Sequence, residues 1–131
     1  MQVVSPIDIE DALRIDLADN LPDFRVMAQP IPPDLRGGDV VVYATGGARV
    51  SGASHEYDLS IDCYAVDDAE ACAMACCVSG LFSTLPLLDT ATQYSNAQAR
   101  PPYPNADPRA PQLARYTFGA TVISPGKRIE F

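Results

Sequence analysis

Two stretches of this chain alternate apolar and polar side chains, and two others read as helices. Tyr57, Leu59, Ile61 and Cys63 alternate with Glu56, Asp58, Ser60 and Asp62. Tyr116, Phe118, Ala120 and Val122 alternate with Arg115, Thr117, Gly119 and Thr121. Period two of this quality predicts strands with one buried and one polar face. Ile9, Leu13, Leu17 and Leu21 recur every four residues, which predicts a helix from Pro6 to Leu21 with one buried stripe. Ser5 is placed to cap it, Pro6 suits its first position, and Asp8 favours its dipole. Asp11, Asp16 and Asp19 are expected to face water, and Ile15 lies away from the stripe. Ile15 is either a stray exposed isoleucine or a subunit contact.

The remaining segments are weaker. Phe24 to Ala28 reads as a short strand and residues 29–38 as a loop. Val40 to Ala44 reads as a strand buried on both faces. Residues 45–53, with Gly46, Gly47 and Arg49, read as a mobile glycine-rich hairpin tip. Asp67 and Glu70 form a capping box that opens an alanine-rich helix running to about Thr84, which Pro86 closes. Its side chains are small and apolar all round, so a close approach to a sheet and a second covered side are both expected. Thr92 to Ala99 forms a weak strand, and residues 124–131 read as a frayed tail. The order suits a single α+β domain over residues 1–131. One mostly antiparallel sheet of about four to five strands would carry both helices on one face.

Five prolines fall between Pro101 and Pro111. Proline lacks the backbone donor, so residues 100–111 form neither a helix nor a central strand. They are expected to be a stiff extended arm. Tyr103, Pro104, Asn105, Asp107 and Pro108 either contact a neighbouring chain or pack back on their own domain.

Composition narrows the functions. With 47% hydrophobic and 20% charged residues the chain is globular rather than disordered. The net charge of −8 disfavours sequence-independent nucleic-acid binding and anionic membranes. No apolar run is long enough to span a bilayer, and the amino terminus lacks the pattern of a signal peptide, which predicts a cytoplasmic site of synthesis and residence. The four cysteines, at 63, 72, 76 and 77, do not resemble a secreted disulfide framework and are expected to be reduced, small buried hydrophobes. His55 is the sole histidine and is separated along the chain from the helical cysteines, which argues against a thiol hydrolase. Zinc ligation by Cys72, Cys76, Cys63 and His55 lacks the usual knuckle spacing. The acidic row Glu56, Asp58 and Asp62 is explained as the wet face of a strand.

Taken in order, these features resemble the tail terminator, or tail completion, proteins of long-tailed bacteriophages. The likeness rests on the amino-terminal helix from Pro6 to Leu21, the strand from Tyr57 to Val66, and the alanine-rich helix that follows it. Its most specific part is Arg100-Pro-Pro-Tyr-Pro-Asn-Ala-Asp-Pro, similar to a segment of actinobacterial phage members. The resemblance implies a non-enzymatic virion protein without a cofactor. It would form a homo-oligomeric ring, a hexamer, on the head-proximal end of the tail tube. There it would stop polymerisation and offer the head-joining surface at the neck. Implied partners are the major tail tube protein and a head-completion or stopper protein, with genome DNA passing through unbound and no membrane. The implied location is the virion, and the host cytoplasm during assembly. A subunit or tube interface is expected at Tyr103, Pro104, Asn105, Asp107, Pro108, Ile15, Gly46, Gly47 and Arg49. The alternatives are a head-closure connector of the same virion, or a small cytosolic thiol or metal-binding module.

Overall fold

The computed structural model describes residues 1–130 and shows an α+β fold. Its spine is the antiparallel pair of β4 (Ser54–Ala65) and β7 (Ala114–Pro125), matched from Ser54↔Pro125 to Ala65↔Ala114. β3 (Asp39–Arg49) flanks β4, and β2 (Arg25–Ala28) lies parallel to β3. On the other side β5 (Asn96–Ala99) and β6 (Tyr103–Pro104) both pair with β7. The sheet is therefore mixed and six-stranded, with more strands than the sequence pattern suggests. β2 and β3 are parallel because residues 29–38 cross over instead of turning back as a hairpin.

Alternation along the spine creates two unlike faces. One carries Tyr57, Leu59, Ile61, Cys63, Phe118, Ala120 and Val122 against α1 (Ile9–Asn20) and α2 (Asp68–Ser83) in one continuous core. Phe82 meets Phe118 edge to face at 6.2 Å between ring centres. The other face carries a smaller core of Val41, Tyr64 and Ala110. Val40 and Val42 face the helices while Val41 faces away, so the run of three valines is buried on both sides as its pattern predicts.

Several boundaries differ from expectation. α1 is capped by Asp8, whose side chain accepts from the Asp11 N–H, and not by Ser5. Gln2–Ser5 instead forms β1, which pairs with β8 (Lys127–Glu130) in a separate two-stranded sheet. The expected frayed tail is thus a paired strand over Lys127–Glu130, because Gly126 turns the chain back under β1. A Cβ on Gly126 would lie 2.6 Å from the Ser5 carbonyl oxygen, so only glycine fits there. The expected glycine-rich tip is also largely strand: β3 continues through Gly46 and Gly47 to Arg49 after an irregularity at Ala44/Gly46. At Gly47 the backbone, with φ of 157°, runs so close to the Glu56 carbonyl that a side chain would collide with it.

Asp16 was expected to face water but is buried. Its carboxylate accepts from the Ala91 N–H at 2.9 Å, the Thr92 N–H at 3.3 Å and the Tyr94 hydroxyl at 2.6 Å. The loop before β5 folds over that flank of α1, which helical spacing alone does not reveal. Asp16→Ala leaves three donors unpaired and is expected to cost about 3 kcal/mol. Tyr94→Phe removes only one of those donors and should cost about 1 kcal/mol. Chemical denaturation of both variants checks the order.

Candidate assembly surfaces

The polar face of the spine is covered by the proline segment. Arg100 and Asn105 donate their backbone N–H groups to the Gly119 and Arg115 carbonyls, each at 2.9 Å, extending the edge begun by β5. Pro101 and Pro102 fall between these bonds, where an edge strand needs no donor. The segment is thus an edge strand followed by a loop over the sheet, not a free arm.

Four strand residues hold that loop. Asp62, Tyr64, Arg115 and Thr117 project from neighbouring positions of β4 and β7. The Tyr64 hydroxyl donates to Asp107 Oδ2 at 2.8 Å, and Thr117 donates to Asp62 Oδ1 at 2.7 Å. Asn105 Nδ2 donates to Thr117 Oγ1 at 3.2 Å. Arg115 Nη1 lies 3.4 Å from Asp62 and 3.5 Å from Asp107, and its Nε donates to the Asn105 carbonyl. The guanidinium also sits over the Tyr64 ring at 5.9 Å. The backbone N–H of Arg109 completes the set at 2.9 Å from Asp107 Oδ1.

The two carboxylates respond in opposite directions. Burial pushes the Asp62 carboxyl up against the hydrogen bond from Thr117 and the charge of Arg115. Burial also opposes the charge of Asp107, but bonds from Arg109 and Tyr64 and the Arg115 charge outweigh it and hold the carboxyl below its ordinary range. Asp62 is therefore not on a wet face, as alternation suggests. It is 5% exposed because the proline segment covers it.

The expected contact residues now divide. Asp107 is 3% exposed and committed to its own chain, and Asn105 is half-buried in the same network. Tyr103 remains 51% exposed, Pro104 is exposed beside it, and Pro108 is exposed on the loop. Ile15 is exposed on α1 at a shallow groove it shares with Ile7, Ala12 and Pro125. Gly46, Gly47 and Arg49 are exposed at the far end of the spine and do not join the Tyr103 group. There the Arg49 guanidinium donates to the Val4 and Gly52 carbonyls, each at 3.3 Å. The pairing of β2 with β3 ends at Ala28↔Val42, and Glu10 takes the next β3 donor, the Ala44 N–H, at 2.9 Å. The outer edge of β3 beyond that point carries no paired strand among the described residues.

Arg115, Tyr64 and Thr117 were not singled out from the sequence. Aligning the two period-two strands would have placed Tyr64 opposite Arg115 and Asp62 opposite Thr117. The cysteines also need correction. Cys63 is buried, but Cys76 and Cys77 are exposed and Cys72 is half-buried. α2 buries Ala71, Met74, Ala75, Val78 and Phe82 against the sheet, and no second layer covers its outer side among the described residues. No group of three or more histidine, cysteine or acidic side chains converges on a possible metal position among the described residues.

No protein-family model matches the chain, and no curated protein matches its sequence. Its fold is shared with a chain from the solved virion of a native gene transfer agent particle. The TM-score is 0.57 at 20% identity, and the match covers 88% of this chain and 90% of that one. The likeness is one of fold, over nearly the whole of both chains.

Asp107→Ala strands the Tyr64 hydroxyl and removes one partner of Arg115, and should cost about 3 kcal/mol at neutral pH. The contribution of Asp107 is present above the ordinary carboxyl range and is lost as pH falls through its lowered pKa. Asp62, with its pKa raised, works the other way: its ionisation costs stability at neutral pH, and that cost is relieved as pH falls. Denaturation at pH 7 and pH 3 should therefore show a smaller penalty for Asp107→Asn in acid. Asp62→Asn should be the milder variant at pH 7. For the thiols, a disulfide reagent should modify Cys76 and Cys77 in the native protein, and Cys63 only after unfolding.

Proposed function

We propose that this chain is a structural protein of a phage-like virion, the terminator ring of a tail tube. The observation that carries the reading is the fold it shares, end to end, with a chain of the gene transfer agent virion. The sequence resemblance to tail terminators over nearly the full length supports the finer assignment. The chain assembles as a homo-oligomeric ring, a hexamer, on the finished end of the tube. The ring meets the major tail tube protein on one side and a head-completion protein on the other. An acidic protein suits the wall of a DNA passage, since like charge keeps the genome from adhering as it moves through. The reading gives the protein no catalytic task and no cofactor, and places it at the head–tail junction after assembly in the host cytoplasm.

The proline segment fits this role because it is already ordered. A clamped loop that presents Tyr103 loses little conformational freedom on docking, and the phenol offers one apolar and one polar end to a neighbour.

The test is a tube-length assay. Purified tube protein elongating in the presence of this chain should stop at shorter lengths, with one end of each tube capped. Tyr103→Ala should keep the wild-type unfolding midpoint and cap tubes at least about tenfold less effectively, as expected of a buried aromatic anchor. Binding to portal assemblies with no effect on tube length would contradict the terminator reading and favour a head-closure connector.

A further inference from the structure

The two ends of the spine differ in charge: one gathers exposed cations among a similar number of acids, and the other is acidic. The twelve-residue pairing of β4 and β7 sets them roughly 35–40 Å apart. At one end, where β3 turns into β4 and β7 runs into β8, stand Arg49, Lys127 and Arg128, all exposed. The acidic groups near them are Glu130, which pairs with the amino terminus at 3.4 Å, Glu56 and Asp58 on the hairpin, and Asp8 beside Pro125. Val50 and Ile129 are exposed at this end, at 53% and 37%. The His55 imidazole is 7% exposed here, and its Nδ1 has no hydrogen-bond partner among the described residues. It lines a groove with Gly46, Gly47 and Arg49 beside the open edge of β3.

The other end is acidic and concave in shape. Asp67, Asp68 and Glu70 surround the start of α2, and Asp23 lies across from them. The nearby cations are Arg36, Arg25 and Arg115; Arg25 is engaged by Asp39 at 2.7 Å and by Asp34 at 3.7 Å, and Arg115 by Asp62 and Asp107. Between Asp23 and Glu70 opens a groove of about 420 Å³ whose walls are Phe24, Ala65, Ala73, Met74 and Cys77. Val66 is 64% exposed at the same end.

We infer that these ends bind each other in successive copies of the chain, the ribbon of β1 and β8 with the β3–β4 turn of one copy seating on the acidic groove of the next. This deepens the ring reading above by naming the two faces that meet, and it rests on that reading. The occupant is a second copy because both properties of the groove are answered by the opposite end. Val50 and Ile129 supply apolar side chains for the groove, and Arg49, Lys127 and Arg128 supply cations for its acidic rim. Such a contact is heterologous: each copy uses one face for the copy before it and a different face for the copy after. Repeated from copy to copy, such a contact generates a ring when its rotation closes. Its strength falls with added salt, as expected of rim charges outside the apolar contact.

Charge reversal at each end gives the test. Lys127→Glu/Arg128→Glu makes the basic end acidic, and Asp23→Lys/Glu70→Lys makes the acidic end basic. All four side chains are exposed, so both variants should unfold near the wild-type midpoint. In sedimentation at low salt, each variant alone should self-associate at least about tenfold more weakly than wild type. An equimolar mixture should regain assembly, with the two variants alternating and an even number of copies in each ring. Association of each variant alone at wild-type strength, or a mixture that stays dissociated, overturns the assignment of these two faces. Wild-type chain that remains monomeric up to about 1 mM, in the range of even weak complexes, also overturns it. The ring reading stands or falls separately on the tube-length assay.

Discussion

The register between β4 and β7 is the constraint on which the rest of the molecule depends. Side chains alternate with period two, so a slip of one residue would exchange the two faces of the sheet. Leu59, Ile61 and Phe118 would leave the helices, and Asp62, Arg115 and Thr117 would enter the apolar core. Neither exchange is tolerable, because buried charge without partners is expensive and exposed core side chains lose their burial. The same register sets Tyr64 beside Arg115, so the clamp on the proline segment follows from the pairing that builds the core.

That clamp explains how a segment unsuited to regular structure becomes a fixed part of the fold. Prolines remove five of the eleven backbone donors of residues 101–111, so side chains must help hold the segment in place. Arg115 does this by facing Asp62 on its own sheet and Asp107 on the loop; Tyr64 shares Asp107 Oδ2 with it, and Thr117 and the Arg109 N–H take the other oxygens of Asp62 and Asp107. Asp62 bears the desolvation, and Asp107, richer in donors, keeps its charge more readily. The loop leaves Tyr103 standing clear at the sheet edge.

The α+β class, both helices and the two long strands were legible because each rests on a repeating pattern within one segment. What escaped needed knowledge of a second segment. Asp16 and Asp62 look solvated until the loop before β5 and the proline segment are laid over them. β1 and β8 lack an apolar alternation of their own and exist because each supplies the other's hydrogen bonds. Cys76 and Cys77 were misplaced because a helix of uniformly small residues has no polar stripe to mark its outer side. The proline segment was recognised as distinctive, yet Asp107 turned inward and Tyr103 outward, a division that spacing among prolines does not encode.

A fold shared with a virion chain, a prefastened Tyr103, and exposed cations at one end with an acidic groove at the other support the proposed account of a subunit that closes on its own copies. Cryo-electron microscopy of tail tubes incubated with the wild-type chain tests that account most directly. The account expects a single-layered, rotationally symmetric ring at one end of each tube, with the start of α2 of each copy against Lys127 and Arg128 of the next. Copies scattered singly along the tube wall, or tubes with both ends bare, would contradict it.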